Sequence, residues 1–161
     1  MNRNLYLKVL TSQRPFAYAQ VLGSDDYPDI GGLVKFYQAP GGVLIMAEIH
    51  GLPTDPGECG GKIFGFHIHE YGTCSGNDED PFKDVGSHYN PKGCPHPAHA
   101  GDLPPLFGNN SIAWSAFLTN RFVPGEIIGR SVIIHSAPDD FTTQPAGNSG
   151  KKIACGVIRK N

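Results

Sequence analysis

The apolar runs of this chain are short, and each ends in a cluster of glycine, proline or acidic residues. "AYAQVLG" (17–23), "GGLVKFYQ" (31–38) and "GGVLIMAEIHGLP" (41–53) are rich in β-branched and aromatic residues, with "SDDYPDI" and "APGG" between them. Runs of that kind and length predict strands joined by turns. "KIFGFHIHEY" (62–71) predicts a fourth strand, and "SIAWSAFLTNRF" (111–122), "GRSVIIHSAP" (129–138) and "KIACGVIRK" (152–160) resume the pattern. With 21 Gly and 14 Pro in 161 residues, no helix of normal length is expected. The expected fold is all-β: an antiparallel β-sandwich or barrel made by one domain over residues 1–161.

Two stretches interrupt the strands, 72–108 and 137–150. An irregular segment as long as the first, inside a compact domain, is usually functional or is ordered by something other than an apolar core. It follows directly on "GFHIHEYGTC", where His67 and His69 stand one residue apart. Alternate residues of a strand share a face, so both imidazoles project to the same side. Burying them together is costly unless something takes up their lone pairs, and a metal does so. The irregular segment adds His88, His96, His99 and Asp102 in "HYNPKGCPHPAHAGD", and His135 closes "SVIIH". Six of the seven histidines thus fall in three places. Imidazole suits copper and zinc equally, whereas three histidines with one carboxylate make a closed tetrahedral zinc site. The inventory fits two metals: His67, His69 and His135 for one, His96, His99 and Asp102 for the other. His88 is left over and is free to serve both.

The formal net charge is only -2, with no basic footprint that would argue for a nucleic-acid partner. No apolar run approaches the roughly 18 residues that span a membrane. Ala17-Tyr18-Ala19 mimics a leader-cleavage site, but the apolar part before it is broken by Lys8, Arg14 and Pro15, and cleavage there would cut a strand. A signal peptide is not expected. The chain is then either cytoplasmic or an extracytoplasmic mature form whose leader is not shown.

Read in order, GFHIHEYG, HYNP, HAGDLPPLFG, IIGRSVIIH, the Asp139–Asp140 pair and AGNSG…ACGVI resemble the copper/zinc superoxide dismutases. The match runs from "AYAQVLG" to "ACGVI" and is closer to the bacterial branch in the placing of Cys74 and in "GDLPPLF". The resemblance implies a Greek-key, immunoglobulin-like barrel with two long functional loops, and a homodimer. It implies copper on His67, His69, His88 and His135, and zinc on His88, His96, His99 and Asp102, with His88 as a bridging imidazolate. Asp139 would link a copper-ligand ring to a zinc-ligand ring, and Cys74 would be bonded to Cys155. The substrate would be the superoxide anion, converted to dioxygen and hydrogen peroxide by a one-electron copper cycle. The rival reading is a copper-binding or copper-transfer domain of the same fold.

One departure stands out. Where the family places an arginine three residues before the last cysteine, this chain has Lys152. Lysine keeps the charge but loses the planar fork that holds an anion while bonding backbone. Cys59 and Cys94 lie outside the family's disulfide; they form either a second bridge or two free thiols. Cys94 as a zinc ligand is the least favoured option. His50 reads as a surface histidine, Trp114 as core or interface filler, and Arg130 as a residue that pairs with backbone.

Overall fold

The structure, a computed structural model, describes residues 4–55, 57 and 61–161. Nine strands form in chain order: β1 (Ala17–Gly23), β2 (Gly31–Ala39), β3 (Gly42–His50), β4 (Ile63–Phe64), β5 (Phe66–His69), β6 (Leu106–Phe107), β7 (Ala113–Thr119), β8 (Ser131–His135) and β9 (Lys152–Lys160). Alternation sets their faces. In β1, Ala17, Ala19 and Val21 are buried while Gln20 and Leu22 are exposed. In β3, Val43, Ile45, Ala47 and Ile49 point inward.

Seven strands make one antiparallel sheet in the order β5-β8-β9-β1-β2-β3-β7. Residues from both halves of that order, Ile49 of β3 and Phe66 of β5 among them, share one apolar core, so the sheet curls round it. The antiparallel, curled all-β class expected from the sequence is the class observed.

The run 62–71 is not one strand. It divides at Gly65, whose N–H donates to Ala137 O at 2.8 Å and whose carbonyl accepts from His135 N–H at 2.8 Å. A Cβ on Gly65 would sit 2.8 Å from the Ser149 Cβ, so only glycine permits this approach. Before the break, Ile63 and Phe64 pair with Phe107 and Leu106 in a separate two-stranded sheet; after it, β5 pairs with β8. A short helix not expected from the sequence, α1 (Leu5–Ser12), precedes β1. It docks through Val9 on Tyr37, Ala39 and Leu44. None of the helices among the described residues is long and apolar enough to cross a membrane.

The long segment after β5 folds back along that strand's free edge. Ile68 N–H donates to Gly101 O at 2.9 Å, and Ile68 O accepts from Tyr89 N–H at 2.8 Å. Glu70 N–H reaches Ser87 O at 2.9 Å and Leu103 N–H reaches Phe66 O at 3.3 Å. An edge strand that would otherwise expose unpaired backbone is thereby covered. Both faces of β5 become buried: Phe66 and Ile68 on the core side, His67 and His69 on the other.

Candidate metal centre

His67 and His69 on β5, His135 at the end of β8, and His88 and Asp102 on the segment along the β5 edge are brought together by this pairing. His67 lies opposite Asp102 and His69 opposite His88 as isolated bridges. Two groups result, His67, His69, His88 and His135, and His88, His96, His99 and Asp102, all buried and sharing His88. Within each group one donor atom per residue lies within 4.8 Å of every other.

His67, His69, His96 and His135 are each held at one nitrogen by a group outside the two sets, leaving the other for the centre. His69 Nδ1 donates to Gly86 O at 2.9 Å and His135 Nδ1 to Gly150 O at 3.3 Å. Their Nε2 atoms then face one another at 3.4 Å. Asp139 holds two rings at once, Oδ2 accepting from His67 Nε2 and Oδ1 from His96 Nε2, both at 2.8 Å. His88 Nδ1 lies 2.7 Å from Asp102 Oδ1, and His96 Nδ1 lies 3.1 Å from Asp102 Oδ2. His67 Nδ1, His88 Nε2, His96 Nδ1 and His99 Nδ1 are buried without a hydrogen-bond partner. Four unpartnered buried nitrogens around two foci would be strongly unfavourable in a purely structural cluster, and they suit a pair of cations. The donor sets, all-imidazole in one group and three imidazoles with a carboxylate in the other, fit copper and zinc.

The electrostatics agree. Burial first, then the neighbouring rings of His88 and His135, holds His67 far below the ordinary histidine value. His69 is lowered for the same reasons, burial leading and His135 next. Burial brings His135 down to about 4, against the hydrogen bond to Gly150, with His88 and Lys152 lowering it further. The rings are therefore neutral at neutral pH, with lone pairs available. Asp102 is held below the usual carboxylate value because the His88 hydrogen bond and charge outweigh the cost of its burial.

Several supports were not visible in the sequence. Gln144, in the 137–150 loop, clamps His96 from both sides: His96 N–H donates to Gln144 Oε1 at 3.0 Å and Gln144 Nε2 donates to His96 O at 2.7 Å. Arg121 Nη1 lies 3.0–3.1 Å from the carbonyls of Pro97, His99 and Asp102. Gly147 has φ +68°, and a Cβ there would collide with Asp139 and His96. Asp139–His contacts of this kind need the turn to pass that close.

Cys74 and Cys155 are joined by a disulfide. The proposed Cys59–Cys94 bridge falls on Cys59, which lies outside the described residues. Cys94 belongs to neither donor group and is tied by its backbone to the Asn90 side chain. Arg130 bonds the carbonyls of Glu126 and Glu70 and stacks over Tyr89, and His50 is exposed. Trp114 is not core: it is 61% exposed on β7, at the sheet's edge. Lys152 does not stand open beside the histidines; its ammonium is ion-paired with Asp80.

Comparison with known proteins bears on the same residues. The sequence model of the family described as copper/zinc superoxide dismutase matches residues 30–158. The chain is 34% identical to superoxide dismutase (Cu-Zn) 2 of Aquifex aeolicus, covering 96% of this chain and 93% of that protein. It is also 34% identical to superoxide dismutase (Cu-Zn) of Deinococcus radiodurans, covering 84% and 80%. Among solved structures, a SOD-like protein from Bacillus subtilis superimposes with a TM-score of 0.69 at 28% identity, over 86% of this chain and 95% of that one. With the family model covering most of its length and such relatives along nearly all of it, the chain belongs to the copper/zinc superoxide dismutase family.

Proposed function

We propose that this chain dismutates superoxide, with His67, His69, His88 and His135 holding copper and His88, His96, His99 and Asp102 holding zinc. The observation that carries the reading is His88. Its Nδ1 lies at Asp102 in one group, and its Nε2 is buried and unpartnered in the other. One ring facing both foci suits an imidazolate shared by two cations, whose charge favours loss of its proton.

When bound, copper supplies one-electron exchange with superoxide, whereas zinc has no redox chemistry. Two superoxide anions and two protons give one dioxygen and one hydrogen peroxide, so the site must also deliver protons. His88 Nε2 is the atom placed to hold one and pass it to peroxide, while the Asp102 side keeps the ring in position. Asp139 fixes the His67 and His96 rings and so holds the two groups in one geometry. Lys152 pairs with His135 across β8 and β9, and with Lys151 it lines the cleft by which the anion enters in this reading.

His135→Ala tests the assignment. It should abolish superoxide consumption and copper uptake while zinc, whose four ligands are all retained, stays bound. Loss of both metals together would contradict the division into two sites. Copper bound by the native chain without superoxide consumption would favour the copper-transfer reading.

A further inference from the structure

A cleft of about 760 Å³ opens onto His69, His88 and His135, and Glu79, Asp80 and Lys152 also line it. Lys152 stands beside His135 in the β8–β9 register, and its side chain is 16% exposed. Its ammonium makes an ion pair with Asp80 Oδ2. Asp80 comes from a different part of the chain, 72 residues earlier, on the segment that Cys74 ties to Cys155 of β9.

That segment holds Asp80 from several sides. Asp80 N–H donates to Asn77 Oδ1 at 2.9 Å, and Asp80 O accepts from Asn77 N–H at 3.0 Å and Lys83 N–H at 3.1 Å. Phe82 N–H takes Oδ1 at 3.2 Å, which leaves Oδ2 for the lysine. Exposed ion pairs are usually weak because two long side chains must be ordered at once. Here the carboxylate is already placed by a turn, and the lysine is mostly buried, so that ordering cost is small.

The consequence concerns anion entry. A small anion is drawn to a metal cleft by uncompensated positive charge along the way. Asp80 compensates the lysine at that place, Glu70 and Glu79 add two further carboxylates to the cleft's lining, and Lys151 is its other lysine. We infer that Asp80 is a positioning residue of this site: by holding Lys152 in an ion pair, it lowers the cleft's affinity for small anions. The inference rests on the copper reading of the His67, His69, His88 and His135 group.

Azide titration of the copper- and zinc-loaded protein, followed by its visible absorption, tests it. Asp80→Asn keeps an oxygen for Phe82 N–H but removes the charge. It should tighten azide binding about threefold and raise the low-salt rate of superoxide consumption by a similar factor, with a steeper fall on adding salt. In a Lys152→Gln background the same change should move azide affinity far less. Unchanged azide affinity and salt slope would overturn the inference, as would an equal shift in both backgrounds, which would make Asp80 a general charge and not the partner of Lys152. A second readout needs no metal. In the metal-free, disulfide-bonded protein, acylation of Lys152 by an activated ester should be several-fold faster in Asp80→Asn than in wild type, and equal rates would refute the pair. Wild type that takes up copper yet consumes no superoxide overturns the proposed function alone, leaving the azide and acylation comparisons to decide on Asp80.

Discussion

Acidifying the metal-free, disulfide-bonded protein should destabilise it well before its carboxylates titrate. Burial holds His67 and His69 far below the ordinary histidine value near 6.5, and brings His135 to about 4. The unfolded chain carries the same three rings at their ordinary value. As pH falls through 6.5 the unfolded state therefore binds protons that the folded state refuses, and folded-state stability falls with pH. Each ring contributes about 1.4 kcal/mol of loss between pH 7.5 and 5.5, so the three together contribute about 4 kcal/mol. His99 is lowered as well, burial leading, and adds to the same sign. Against a typical domain stability of about 5–15 kcal/mol, that is a large fraction. Urea unfolding followed by circular dichroism at half-unit pH steps gives the slope directly. A midpoint that stays level or rises from pH 7.5 to 5.5 would mean the cluster accepts protons while folded, and the buried, neutral rings described above would be wrong.

Three further outcomes follow from the same geometry. Cys74 and Cys155 are 81 residues apart, so replacing both by serine should cost about 4.5 kcal/mol on the loop-entropy model, read as a shifted urea midpoint. Asp139→Asn offers one acceptor where His67 and His96 both donate, and turns an amide N–H toward one of them; metal affinity should fall about 10–100-fold by competition with a chelator. Arg121→Met removes the donor beside three loop carbonyls. It should cost about 2 kcal/mol and speed zinc release, and an unchanged release rate would remove Arg121 from the support of that loop.

Where strand and burial coincide, the sequence was readable. β1, β2, β3, β8 and β9 fall within the apolar runs that predicted them, because each has one face on the core. The break at Gly65 was hidden, since "KIFGFHIHEY" reads as one continuous strand and the break depends on His135 at the end of β8 and on Ala137 and Ser149 beyond it. α1 was hidden for a related reason: only Val9 of its eight residues is buried, and the surface it meets exists only once β2 and β3 pair. The donor residues were legible because histidine is rare and its spacing on β5 is a local property. Their supports, Gln144 and Arg121, are ordinary polar loop residues until two loops meet. Lys152 shows the limit most clearly. Its place beside His135 could be read from motif spacing, but its partner Asp80 could not, because a disulfide and a turn bring that carboxylate across 72 residues.

The account stands or falls on what occupies the two groups that share His88. Metal content and superoxide consumption should be measured on one sample of the purified, copper- and zinc-supplied protein. About one copper and one zinc per chain, with superoxide consumption that scales with copper content, is the expected result. Zinc alone in both groups under copper-replete conditions, or consumption that does not follow copper, would contradict it.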